Sequence, residues 1–312
     1  MDHLTVAEAI STLVPVLKRG KLNAFVGSGI SARPPSNLPT WSVLVENFVE
    51  FFEQFVEDQA KPESEYSHLR KLADEANAAR KGTEDLIKIV TTLKDALIEF
   101  DEHHHAGLNG QFSAWLQGKL YHASFNELHS LIVRTNFPYI LTTNYDILLE
   151  NAQTAAGISR KKLTQATYLE PERLARAVHE QVSAIVYVHG RTDDIKIGEF
   201  VFTARDYAKM INRAHPGFAL ILRALFLTQS TVFLGYGGAD PHIESILDEL
   251  SLNLGYSNMP GLPQQYEVIF GREASSIQRR YKRMKRTRLI LVENDDEYVH
   301  FLSSLQSAVP RG

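Results

Sequence analysis

The chain reads as an α/β protein with a Rossmann-like, largely parallel sheet, and three observations carry that reading. Short apolar runs of strand length alternate with segments of helical periodicity from Leu22 onward. Two of these runs end in glycine-rich turns, Gly27-Ser28-Gly29 and Gly235-Tyr236-Gly237-Gly238. A third, Phe137 to Leu141, runs straight into the polar segment Thr142-Thr143-Asn144-Tyr145-Asp146. In an open parallel sheet, turns of this kind gather at the carboxyl edge of the strands, where such folds bind ligands.

Taken in order, residues 5 to 19 predict a helix, and Leu22 to Val26 a short strand that ends at the first glycine turn. Pro34, Pro35 and Pro39 punctuate the chain before a long stretch of helical signals, from Trp41 to about Leu131. There Trp41, Leu44, Val45, Phe48, Val49, Phe52, Phe55 and Val56 fall along one broad face, as a helical layer inserted after the first strand requires. Phe137 to Leu141 predicts a buried strand, and Ile147-Leu148-Leu149 the start of a helix. Further strands are expected at Ala184 to Val188, Phe200 to Thr203, Thr231 to Leu234, Tyr266 to Phe270 and Leu289 to Val292, most of them separated by helical segments.

Composition narrows the functional classes. At 312 residues and 44% apolar content the chain can bury a large core. A formal net charge of −4 supplies no global field for nucleic acid or anionic lipid, so any nucleic-acid contact would be local or made through a partner. The absence of cysteine excludes disulfides, thiolate zinc sites and cysteine nucleophiles. The first residues lack a basic start followed by an apolar run, and the longest greasy stretch, Phe218 to Leu227, contains Arg223 and is too short to span a bilayer. A cytosolic protein with no membrane contact is expected.

Four segments carry candidate chemistry. Gly27-Ser28-Gly29-Ile30-Ser31-Ala32 fits the dinucleotide fingerprint, whose glycines allow a tight turn and close approach of backbone to a pyrophosphate. The acidic residue that such a unit places on a following strand is missing, since Glu46 lies within the helical run. Packing between helix and strand is the other role open to these glycines. Asn144 and Asp146 sit at a strand-to-helix turn, where Asp146 has two roles open to it, ligand contact or capping the next helix. His189, followed by Gly190, is carried to the same sheet edge and is placed as a general base would be. The second glycine turn exposes N–H groups before Pro241, with Asp240 placed as a helix cap.

In this order and spacing, Gly27-Ser-Gly-Ile-Ser31, Thr142-Thr-Asn-Tyr-Asp146, Tyr187-Val-His-Gly190 and Gly235-Tyr-Gly-Gly-Ala-Asp-Pro241 resemble the sirtuin-like superfamily, and within it the bacterial sirtuin-like NADases of antiphage defence. The resemblance covers roughly residues 20 to 295. It implies one sirtuin-like domain over residues 1–312, with the helical insertion at about 41–131 and no zinc ribbon. It also implies NAD+ as substrate, cleaved to nicotinamide and ADP-ribose, with no metal. Asn144 and His189 would be catalytic, Asp146 would hold the nicotinamide carboxamide, and Gly27, Ser28, Gly29, Ser31, Gly235 and Gly237 would line the dinucleotide site. Deacylase sirtuins carry four zinc-binding cysteines and a Pro-Asp-Phe-Arg loop. This chain has neither, and it has Gly237 where the branch usually has serine. A binding subunit that senses NAD+ or ADP-ribose without hydrolysis, and a protein deacylase or ADP-ribosyltransferase, are the alternative readings. The branch further implies gating by assembly or a phage trigger, a homo-oligomer, and for some members a hexameric translocase ATPase partner of the HerA type.

Other features take simpler readings. Phe202-Thr203-Ala204-Arg205-Asp206 has the form of a capping box. His103-His104-His105 lacks the i, i+4 spacing of helical metal ligands. His129, on an apolar helix, is expected at the core edge. The seven basic side chains between Arg279 and Arg288 suit a solvated helix before the last strand better than a binding patch.

Overall fold

The computed structural model of the chain describes residues 3–59, 67–81, 86–121, 123–193, 196–201, 204–237, 241–254, 263–271 and 287–311. Eight parallel strands form one sheet in the order β1-β8-β7-β6-β2-β3-β5-β4. They are β1 (His3–Leu4), β2 (Leu22–Val26), β3 (Tyr139–Thr142), β4 (Leu163–Thr167), β5 (Ser183–Tyr187), β6 (Ser230–Leu234), β7 (Gln265–Phe270) and β8 (Thr287–Val292). From β2 the chain adds β3 alongside, lays β4 at that edge and then fills β5 between them, before crossing to the other flank of β2 with β6, β7 and β8. The strand order therefore reverses at β2, the place beyond the carboxyl ends where open α/β sheets bind their ligands.

Alternation along the strands sorts the side chains between two helical faces. Ala24 and Val26 of β2 and Ile140 of β3 face a core shared with α1 (Val6–Lys18), α7 (Glu127–Arg134), α8 (Leu148–Ala155) and the C-terminal α13 (Asp295–Ala308). Phe25 of β2 and Leu141 of β3 face the opposite core, with α9 (Pro171–Glu180), α11 (Pro216–Thr228) and α12 (Pro241–Leu254). Helix α1 begins with a reciprocal capping box between Thr5 and Glu8 and buries Ala9, Leu13 and Leu17 at four-residue spacing. The single turn α2 (Ser28–Ser31) follows β2 directly.

A third core belongs to α3 (Trp41–Gln59), α4 (Ser67–Lys81), α5 (Leu86–His104) and α6 (Leu108–Leu120). Its aromatic centre joins Phe48, Phe51, Phe112 and Trp115, with ring centroids 5.2–6.4 Å apart. The helical stretch expected over 41–131 thus holds two packing units, because α7 turns Leu128, Ile132 and Val133 into the sheet core.

Two strands are new relative to the sequence reading. β1 is two residues long, and β4 is an edge strand of polar sequence whose Gln165 is buried and bonded to Gln153 at 3.3 Å. The strand expected at Phe200 to Thr203 does not form over its described half. Phe200 and Val201 are buried but irregular, and side chains take the place of a strand partner. Lys94 Nζ donates to the Phe200 carbonyl at 2.8 Å and the Tyr145 hydroxyl to the Val201 carbonyl at 2.7 Å. A short helix, α10 (Ala204–Tyr207), starts directly after Thr203, where the capping box was expected, and its Asp206 is also a buried partner of Lys94. A π-helical turn, Ala208–Ala214, then leads to α11. Thr203, Asp240 and the basic run as far as Arg286 lie outside the described residues.

Candidate active site

Strand register brings the sequence-selected residues to one edge. Val26 of β2 pairs with Thr142 of β3 and Leu234 of β6, and Thr142 pairs with Tyr187 of β5. Gly27, Asn144, His189 and Gly235 each follow that row by one or two residues, so four neighbouring strands deliver them to the same sheet edge at the reversal point.

The two glycine turns dock on each other. Gly27 N–H donates to the Leu234 carbonyl and Gly29 N–H to the Gly235 carbonyl, both at 2.9 Å. A Cβ on Gly27 would lie 2.4 Å from Tyr236 Cα, and one on Gly29 2.7 Å from the Gly235 carbonyl oxygen. Gly235, at φ +61°, would place a Cβ 2.6 Å from Ile30 N. This mutual contact alone requires all three glycines. Two of the N–H groups expected to face a pyrophosphate are spent within the protein, and α2, at one turn, has only a small dipole to offer an anion. Gly237, at φ +75°, borders open space. The Ser28 hydroxyl accepts from Trp41 N–H at 3.3 Å and fixes the start of α3.

Asn144 sits at the centre of a buried polar cluster. Its backbone N–H donates to Thr142 Oγ1 at 3.0 Å, and Thr142 donates to the Val26 carbonyl at 2.8 Å, which ties the turn to the central strand. Asn144 Nδ2 donates to Ser31 Oγ at 3.2 Å, so the amide oxygen is turned away from Ser31. Asp146 accepts the Leu148 N–H at 3.1 Å, at the start of α8, and the side chains of Ser31 and Asn144 also stabilise its charge. Of the two roles left open for Asp146, its geometry shows the helix contact. Burial raises its carboxyl above the ordinary range against the pull of these hydrogen bonds. His189 is buried at the end of β5, its ring centroid 6.3 Å from that of Tyr145.

Sequence reasoning set His129 aside, yet it touches the cluster. Its Nε2 lies 3.2 Å from Ser31 Oγ, and its Nδ1 lies 2.8 Å from Asn126 Oδ1. Asn126 caps α7 and donates through Nδ2 to the Ile30 carbonyl at 2.7 Å. The available signal was the Asn126-x-x-His129 spacing, which places a histidine at the third position of a capped helix. The His103-His104-His105 run ends α5, where His104 stacks on Phe100 at 4.3 Å. Among the described residues no three metal-ligating side chains converge. Among them, too, no helix is long and apolar enough to cross a membrane.

Residues 138–290 match the family model of the SIR2-like domain. NAD(+) hydrolase ThsA of Enterococcus faecium is 30% identical over 139 residues, 43% of this chain and 27% of that protein. NAD(+) hydrolase ThsA of Cytobacillus dafuensis is 28% identical over 137 residues, 43% of this chain and 25% of that protein. Defense-associated sirtuin 2 of Bacillus subtilis is 23% identical over 243 residues, 78% of this chain. The chain spans only 20% to 27% of the length of these relatives. The sirtuin-like resemblance drawn from the four motifs, including its defence branch, agrees with these matches.

Proposed function

We propose, for a chain that carries a SIR2-like domain, that it is an NAD+ glycohydrolase acting in antiphage defence. The observation that carries the reading is the buried cluster of Asn144, Ser31 and Asp146 at the sheet's reversal point, with His189 brought to the same edge two residues after β5. Cleavage breaks the bond between nicotinamide and ribose C1′, releases nicotinamide as a neutral molecule and builds positive charge on the ribose. Water then adds at C1′ and loses one proton, giving ADP-ribose. Such a reaction needs positioning and polar stabilisation more than a strong acid.

Asn144 suits this demand because its amide nitrogen is held by Ser31, leaving the oxygen to face the developing cation or to fix the attacking water. A neutral side chain does so without burying a further charge. Asp146 would hold the nicotinamide carboxamide, and His189 would accept a proton from a ribose hydroxyl or from the water. Gly27, Ser28, Gly29, Ser31, Gly235 and Gly237 would border the dinucleotide, with Gly237 offering the most open approach. By the same resemblance we propose gating through assembly or a phage trigger, a homo-oligomer, and a HerA-type ATPase as a possible kind of partner. Depletion of NAD+ would then be the biological effect.

Product analysis tests this reading against a sensor and a deacylase. Incubation with NAD+ should give nicotinamide and ADP-ribose in equal amounts without acylated peptide, and His189→Ala should lower turnover about 100-fold or more, the range for loss of a positioned base. Tight NAD+ binding without products under every assembly condition would favour the sensor. Turnover that requires acylated peptide would favour the deacylase.

A further inference from the structure

We propose that Lys94, on α5 of the helical layer, is a positioning residue that acts through the Phe200–Val201 segment and Tyr145 to hold the turn carrying Asn144 and Asp146, an inference that rests on the NAD+ cleavage reading above. Lys94 is 2% exposed, and the same stretch of α5 buries Val90, Leu93 and Leu97 in the layer's core. An ammonium is costly to desolvate, and an apolar side chain can fill such a place at least as well. Lys94 instead reaches out of the layer, donating to the Phe200 carbonyl at 2.8 Å and to the carboxylate of Asp206, itself 5% exposed. A buried pair of this kind is better suited to fixing the register of two elements than to adding stability.

The segment that Lys94 grips is the seam between two cores. Phe200 packs into the helical layer, its ring 5.0 Å from that of Phe112, while Val201 joins the sheet core of Phe25 and Leu141. Buried carbonyls outside a sheet need donors, and these two take theirs from different parts of the molecule. Lys94 of the helical layer serves Phe200, and Tyr145 of the catalytic turn serves Val201 at 2.7 Å. Tyr145 is held at two further points. Its ring lies 4.4 Å from that of Phe200, and its carbonyl accepts the Thr192 N–H at 2.9 Å. All three contacts run to the stretch that follows β5. Because Tyr145 separates Asn144 from Asp146 in the chain, its placement sets both side chains, and a misplacement of about 1 Å at a reacting site costs about 100-fold in rate.

Three variants separate positioning from a purely structural ion pair. Lys94→Met alone strands the Asp206 charge and endangers folding, so it is combined with Asp206→Asn, which removes both charges at nearly constant shape. Asp206→Asn alone keeps the donor to Phe200. Steady-state kinetics should show kcat for NAD+ cleavage lowered about 10- to 100-fold in the double variant with KM within about 3-fold, and kcat within about 3-fold of wild type in Asp206→Asn. Tyr145→Phe, which loses only the hydroxyl, should lower kcat about 10-fold, and adding the double substitution to it should cost less than about 3-fold more. Equal losses in Asp206→Asn and the double variant, or full activity of Tyr145→Phe, would overturn the proposal. Hydrogen exchange read by mass spectrometry does not depend on cleavage. Amides of residues 139–148 should exchange about 10-fold faster in the double variant than in wild type or Asp206→Asn, with residues 230–234 unchanged. Unchanged exchange over 139–148 would overturn the latch and leave the glycohydrolase reading standing. Faster exchange in a chain that never cleaves NAD+ would uphold the latch and sink the glycohydrolase reading.

Discussion

Asp146 and His129 both lie inside the protein near Ser31, and burial moves their protonation in ways that affect stability with opposite sign. The His129 imidazole is pushed down from 6.5 to about 4. Between those values, as pH falls, the unfolded chain takes up a proton that the folded chain does not. Stability is therefore lost through this window, by about 1.4 kcal/mol per pH unit. The Asp146 carboxyl is raised, so at lower pH the folded form protonates first and recovers part of the loss. Urea unfolding should show wild type losing about 2 kcal/mol more than His129→Gln between pH 7.5 and 5.0, since the variant lacks this group. Equal losses would mean that His129 titrates normally in the folded chain. Little of this was visible in the sequence. Asn144 and Asp146 stood out because polar residues there have no packing reason, whereas His129 sits on an apolar helix and gains its partner only when α7 meets α2.

The elements that position the site are held by backbone contact as much as by side-chain packing. Gly27, Gly29 and Gly235 form an interlock between the turns after β2 and β6, and their Cα hydrogens face backbone atoms that cannot move aside. Gly27→Ala and Gly235→Ala should each lower the melting temperature by several degrees or prevent folding, as overpacking at a fixed backbone does. Gly237→Ala meets no atom within 4 Å and carries only the strain of φ +75°, a cost of about 1–2 kcal/mol. Thermal denaturation of the three variants checks this. An order in which Gly237→Ala is the most damaging would contradict the interlock. The fingerprint was legible as glycines before a helix, but the sequence could not say that one glycine turn would be the other's packing partner. Likewise Phe200 and Val201 have strand composition yet form none, because Lys94 and Tyr145, distant in sequence, satisfy their carbonyls.

Across the whole molecule, the parallel sheet and its reversal at β2 follow from features that are local in sequence, which is why alternation of strand and helix was readable. Six of the expected strands, at β2, β3, β5, β6, β7 and β8, form within two residues of their predicted starts. The missed β4 has polar residues at buried positions that only a tertiary partner such as Gln153 explains. The helical layer is continuous with the site through Tyr145, whose ring lies 4.4 Å from Phe200, itself 5.0 Å from Phe112 of α6. Motion or assembly of that layer would thus bear directly on the turn that carries Asn144 and Asp146. The central claim is that this turn cleaves NAD+, and release of nicotinamide from NAD+ by wild type and Asn144→Ala tests it most directly. The account predicts release that falls at least about 100-fold in the variant, a loss of about 2.7 kcal/mol of transition-state stabilisation, while NAD+ binding persists. Undiminished release by Asn144→Ala would contradict it.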